Sequence, residues 1–214
     1  SNANFISCSL DSYVFKYDMI KDLKKGGTFL LNTDMDDETL IKSLPNRMKK
    51  QLAEKEAKFY VSDANKIAME IGMGRHTNTI LQASFFYLNQ QIMPYDEASK
   101  WMKKFAEKTY ARKGQDVVDM NYRAIDSGTE GLREVQVDPK WAELEVTSTR
   151  EKTGDDYWDE YIAVIGALEG DMLPVSTFRK WELEDGTMRN NITYNERRAI
   201  ADRVPVWQKE NCIQ

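Results

Sequence analysis

The chain has 214 residues, 41% hydrophobic and 30% charged, a balance that supports a sizeable buried core and excludes a disordered protein. The formal net charge is −5, and the basic residues punctuate helix surfaces (Lys103, Lys104, Lys108, Arg112, Lys113), which argues against nucleic acid as a partner. No apolar run approaches the roughly 20 residues of a membrane-spanning helix. Two cysteines at opposite ends, Cys8 and Cys212, fit a reducing cytoplasm better than a disulfide scaffold.

Ser1-Asn2-Ala3 reads as the scar of a cleaved tag, and a strand that starts almost at once suggests a domain cut from a longer protein. Phe5 to Leu10 predicts that strand, with Cys8 as a small buried hydrophobe. Asp11-Ser12 then caps a helix whose apolar positions include Val14, Tyr17, Ile20 and Leu23, ended by Gly26-Gly27. Thr28 to Leu31 predicts a fully buried strand, and Asn32-Thr33-Asp34 turns the chain. Asp36 to Leu44 and Pro45 to Glu54 predict two short helices, the second opened by its proline.

Phe59-Tyr60-Val61 is the third strand, followed by Ser62-Asp63 as turn and N-cap and by a helix from about Ala64 to Ile71. Strand, polar cap and helix in immediate succession is how an α/β sheet presents backbone amides to a ligand at its carboxyl edge. Gly72 and Gly74 stop this helix. They serve either as C-caps or as unhindered backbone beside a ligand, and both readings stand. Three such strands, each followed by helix, predict a three-layer α/β/α fold with a mostly parallel sheet.

From Thr77 onward the pattern is helical. Ile80, Leu81, Ser84, Phe85 and Leu88 form one apolar stripe, and Pro94 opens a second helix with Ala98, Met102, Phe105 and Tyr110 inward. Gly114 breaks it, and Asp116 to Ile125 forms a third. The Ser127–Gly131 stretch reads as a boundary, which gives an α/β domain over 4–131 and a connector arm over 132–214. In the arm only Asp155 to Leu168 reads as helix. The rest is irregular chain without a core of its own, anchored by Trp141, Trp158, Trp181 and Trp207.

Little catalytic chemistry is in view. His76 is the single histidine, so no triad or His-based metal site assembles without it, and no nucleophile with an evident base accompanies it. No phosphate-binding loop with lysine and no G-x-G-x-x-G occurs. The pairs Asp36-Asp37 and Asp155-Asp156 stand at helix starts, where capping explains them. By itself the chain reads as a binding or scaffolding module.

The segments YDMIKDLKKGGTFLLN, FYVSDANKIAMEIGMG, NTILQASFF, EKTYARKGQDVVDMNYRAID and VPVWQKENCIQ, in that order, resemble the pyruvate:ferredoxin (flavodoxin) oxidoreductase family. The match is to its middle region, ending at the start of the ferredoxin-like [4Fe-4S] domain, and covers nearly all of 4–214. The resemblance implies a cytoplasmic, homodimeric enzyme that decarboxylates pyruvate on thiamine diphosphate and Mg and passes electrons through three [4Fe-4S] clusters to ferredoxin or flavodoxin. It transfers the acetyl group to coenzyme A. Its middle domain helps to bind coenzyme A while other domains of the polypeptide hold thiamine diphosphate and pyruvate, so this stretch alone is expected to be inactive and to carry no cofactor.

Carried over by motif, Asn78 in NTILQ and Asn121 in DMN become coenzyme A contacts. An amide can donate to and accept from phosphate, pantetheine or adenine, although both residues could instead cap helices. The family has a Gly-Gly-Arg run before the NT motif where this chain has Gly74-Arg75-His76, so Arg75 or His76 takes the place of that arginine. Cys212 in ENCIQ resembles the first ligand of the C-x-x-C-x-x-C-x-x-x-C run. Other readings are a non-catalytic interdomain scaffold and the equivalent region of another 2-oxoacid oxidoreductase or of a pyruvate:NADP fusion enzyme.

Overall fold

The computed structural model describes residues 2–146, 150–196, 201 and 203–213. The chain divides into two units, residues 1–148 and 149–214. The first contains β1 (Ala3–Cys8), α1 (Tyr13–Lys16), β2 (Leu23–Asn32), α2 (Asp37–Ser43), α3 (Asn46–Glu54) and β3 (Lys58–Ser62). It continues with α4 (Ala64–Glu70), α5 (Asn78–Leu88), α6 (Tyr95–Tyr110), α7 (Gln115–Ser127) and β4 (Arg133–Val135). The sheet order is β1-β2-β3-β4, the first three strands parallel and β4 antiparallel against β3.

Register and alternation together build the layers. Phe29 lies opposite Phe59, Leu30 opposite Tyr60 and Leu31 opposite Val61. Because successive side chains on a strand point to opposite faces, Phe29, Leu31, Phe59 and Val61 pack on one side against Leu40, Leu44, Met48 and Leu52 from α2 and α3. Leu30 and Tyr60 face the other side, against Ala64, Ala68, Ile80, Leu81 and Ala124 from α4, α5 and α7. The result is the α/β/α architecture that strand–helix alternation predicts. Helix α6 joins α5 and α7 through a smaller cluster of Ala83, Met102 and Ile125.

The helix expected between Asp11 and Gly26 is a single turn, and Leu23 through Gly27 already belong to β2. The glycine pair lies inside the strand, with Gly26 at φ +71. Between Ala3 and Phe5 the β1–β2 register shifts opposite it, a bulge that glycine accommodates without strain. Lys55 secures the entry to this strand. Its Nζ donates to the carbonyls of Ile20 (2.7 Å), Lys21 (2.7 Å) and Leu23 (2.8 Å). Replacing Lys55 by methionine keeps the stem but strands those carbonyls, and should cost about 2 kcal/mol. A urea midpoint equal to that of the unchanged chain would show that the ammonium is dispensable.

The boundary expected after Gly131 falls inside the first unit. β4 extends the sheet, with Val135 2% exposed, and Trp141 packs against the core beneath it. Asn46 Nδ2 and Lys50 Nζ of α3 donate to the carbonyls of Glu145 and Leu144, at 3.3 and 3.4 Å. A three-residue strand is too short to show a period of two, so only the paired backbone reveals it.

The second unit is a set of short turns. A π-helical segment (Trp158–Ile162) runs into α8 (Ala163–Gly166), and α9 (Val175–Lys180) follows. The helix expected over 155–168 is thus present but wound more loosely at its centre. Tyr157, Tyr161 and Leu183 form a small core with Phe178 and Trp181 beside them, so this region does gather a hydrophobic centre. Arg189 lies 4.6 and 4.8 Å from the rings of Tyr157 and Trp181, within cation–π range. Trp207, expected as an anchor, is 71% exposed. Among the described residues no helix is long and apolar enough to cross a membrane.

Candidate functional site

Helix α5 begins at Asn78, and its N-cap Thr77 makes no side-chain cap bond. The first amides of any α-helix lack an intrahelical partner, the Thr77 side chain supplies none here, and the positive end of the dipole lies at this point. Just before it, Gly72 and Gly74 both take positive φ (+86 and +61), which a residue with a Cβ rarely adopts. They let the chain leave α4 and turn into α5. At the far side, α6 passes through a short 3-10 turn (Ala111–Lys113). Gly114, at φ +111, then starts α7, which brings Tyr110 and Lys113 opposite the start of α5.

A cleft of about 320 Å³ results, lined among others by His76, Asn78, Thr79, Tyr110, Lys113 and Asn121. Lys113 Nζ sits 5.5 Å from the centroid of the Tyr110 ring. A second, more apolar cavity of about 600 Å³ opens between α5, α6 and α7, lined by Phe86, Met93, Trp101, Met102, Phe105 and Ile125. The two share Thr79, Tyr110 and Asn121 as a common wall.

The sequence-selected residues divide. His76 and Asn78 are exposed at the mouth of the smaller cleft. Arg75 is exposed beside them and is not among the residues that line it. Asn121 is 2% exposed and caps nothing, since it lies in the middle of α7. Its Nδ2 donates to the Val117 carbonyl (2.9 Å), and its Oδ1 accepts from Thr79 Oγ1 (3.2 Å). Asn78 is the first helical residue of α5 and not its cap. Cys212 belongs to the second unit, exposed and outside any disulfide.

Thr79, Tyr110 and Lys113 are not among the site residues that the sequence suggests, where Tyr110 reads as an inward helix position and Lys113 as surface charge. Thr79 is the second residue of the NT motif, directly after Asn78, and the motif itself could have suggested it. Tyr110 and Lys113 sit on another element, and the hairpin at Gly114 alone brings them near. The acidic pair at Asp36 is a cap, as its position indicates. Its carboxylate accepts from the Thr39 N–H (2.9 Å) and hydroxyl (2.9 Å), which hold its pKa below the ordinary carboxylate value. Among the described residues no group of three or more His, Cys, Asp and Glu side chains could hold a metal.

Chemically the place is a binding cleft. The N-terminal end of α5 and Lys113 favour an anion, the adjoining cavity favours an apolar or flat group, and no nucleophile–base pair lines either.

Residues 1–131 match the family model described as pyruvate ferredoxin/flavodoxin oxidoreductase. The pyruvate:ferredoxin oxidoreductase of Moorella thermoacetica is 41% identical over 99% of this chain and 18% of its own length. The pyruvate-flavodoxin oxidoreductase of Klebsiella pneumoniae is 40% identical, again over 99% of this chain and 18% of its own. A mitochondrial pyruvate dehydrogenase [NADP(+)] of Euglena gracilis is 35% identical over the whole chain and 12% of its own length. This chain therefore spans less than a fifth of the curated relatives it matches. Among solved structures, the pyruvate oxidoreductase subunit PORC of Thermotoga maritima superposes with a TM-score of 0.50. At 22% identity over 63% of this chain and 66% of that one, the likeness is one of fold.

Proposed function

Because the chain belongs to the pyruvate ferredoxin/flavodoxin oxidoreductase family, we propose that it is one segment of an enzyme that oxidatively decarboxylates pyruvate to acetyl-coenzyme A. In that enzyme electrons pass to ferredoxin or flavodoxin, and the cleft between α5 and α7 takes part in seating coenzyme A. The carrying observation is the cleft itself. It joins an anion-favouring mouth, formed by the uncapped start of α5 and by Lys113, to a larger apolar cavity. A ligand with phosphates and a long, partly apolar body fits that pairing. Asn78 and His76 stand at the mouth as contacts, and Arg75 is a neighbouring charge.

Thiamine diphosphate with its Mg would supply the decarboxylation chemistry from other domains of the polypeptide. A [4Fe-4S] cluster takes four cysteine thiolates. Cys8 is 2% exposed in the core, where burial pushes its thiol pKa up. Cys212 is thus the one cysteine placed to serve as a ligand, with the others supplied from elsewhere in the polypeptide. The proposal places the whole enzyme in the cytoplasm, as a homodimer whose other domains contact this one. The electron acceptor differs among the named relatives and is set outside this chain.

Substituting Lys113 by alanine in the full-length enzyme should raise KM for coenzyme A about fivefold, the loss of one charge-assisted contact at a partly exposed site. Pyruvate decarboxylation measured without coenzyme A should be unaffected. An unchanged KM would remove the cleft from coenzyme A binding.

A further inference from the structure

The wall between the two cavities is a hydrogen-bond relay with a fixed direction. Asn121 Nδ2 is committed to the Val117 carbonyl, an acceptor one turn back on its own helix (2.9 Å). The amide oxygen must therefore face α5, where it accepts from Thr79 Oγ1 at 3.2 Å. An amide oxygen has no proton to give, so the Thr79 hydroxyl spends its single hydrogen on Asn121. What it has left are lone pairs, and Thr79 lines both cavities. Asn121 borders the same cavities but, at 2% exposed, offers them almost no surface.

We propose that Asn121 is a positioning residue that locks Thr79 as a hydrogen-bond acceptor at the junction of the cavities, selecting a ligand that presents a hydrogen-bond donor there. This rests on the coenzyme A reading and deepens it. Coenzyme A carries such donors in its pantetheine arm (two amides and the pantoate hydroxyl) and in its adenosine part (the adenine amino group and the ribose hydroxyl), while its ionised phosphates offer none. It also revises the role of Asn121 itself, which acts through Thr79 and not by touching the ligand. Without Asn121 the threonine hydroxyl is free to rotate and donate, and the selectivity of the junction is lost.

The test uses the full-length enzyme, with KM and kcat measured for coenzyme A and for 4′-phosphopantetheine, which keeps the amides and lacks adenine. Thr79→Val should raise KM for coenzyme A about fivefold with kcat held, the worth of one hydrogen bond, and Thr79→Ser should restore it. Asn121→Ala should raise KM similarly, and Thr79→Val/Asn121→Ala should be no worse than Thr79→Val alone. If 4′-phosphopantetheine suffers equally, the donor lies in the pantetheine arm; if only coenzyme A suffers, it lies in the adenosine part. Additive effects of the two substitutions would overturn the relay by showing that Asn121 meets the ligand itself. So would a Thr79→Val enzyme with normal KM. Lys113→Ala separates the two levels: if it raises KM while Thr79→Val does not, the relay fails alone, and if neither does, the coenzyme A reading fails with it.

Discussion

Truncating Phe59 to alanine is expected to destabilise the 214-residue chain by about 4 kcal/mol. The side chain is 0% exposed on β3, a strand paired on both sides, by β2 and by β4. Its ring centroid lies 5.7 Å from that of Phe29 at 39°, and both rings sit over the residues of α2 and α3. Removing the ring forfeits its transfer free energy and leaves a void that paired strands cannot close. Urea denaturation followed by circular dichroism reads the change as a lower midpoint at constant slope. A loss under about 1 kcal/mol would mean that the layer relaxes into the void, contrary to the close packing expected of a protein interior.

Replacing Gly128 by valine should cost about 3 kcal/mol for the opposite reason, too much volume. This glycine has no need of an unusual backbone angle. A Cβ built on it would lie 2.5 Å from Ala83 Cβ and 2.8 Å from the Ile80 carbonyl oxygen. One obstacle is the backbone of α5, which cannot step aside as a flexible side chain would. The contact is pinned from the other side too, for Ser84 Oγ donates to the Gly128 carbonyl at 2.7 Å. Valine must push the end of α7 away from α5. Because those two helices also carry Asn121 and Thr79, the proposed coenzyme A site predicts that a full-length Gly128→Val enzyme shows a raised KM for coenzyme A along with its lower melting temperature. Alanine at Gly128 should fall between, and pairing it with Ala83→Gly should recover part of the loss. A valine variant of unchanged stability would refute the close approach.

The two cases explain why some of the architecture is legible in the sequence and some is not. Phe59 stands in a short apolar run bounded by a turn signal, and local pattern suffices to make it a core strand. Gly128 reads locally as a boundary residue, within Ser127–Gly131. Its role is to let α5 come close, although Ser84 on that helix is 44 residues away, a separation that no local window of sequence contains. The same limit accounts for Gly26-Gly27. Gly is common at helix ends, but here the pull of pairing with β1 extends β2 back to Leu23 and turns the pair into a bulge.

The candidate site follows the same division. The turn at Gly72 and Gly74 and the start of a helix near Thr77 are visible in composition and pattern, and the selection of Asn78 and Asn121 as candidates comes from motif and resemblance. That Asn121 faces inward and is spent on Val117 and Thr79 depends on the rotation of α7 against α5. The arrival of Lys113 at the mouth depends on the hairpin at Gly114.

What the sequence by itself determines is the three-layer plan, since alternation along β2 and β3 and the amphipathic stripes of the helices are local physical facts. It also determines the family, through the order of its segments. Only the tertiary structure decides that β4 closes the sheet beyond the expected boundary, that the residues after 149 gather their own small core, and that two cavities meet at Thr79. Each of those rests on contacts between residues far apart in the chain, whose energies are set by which faces meet and not by any local pattern.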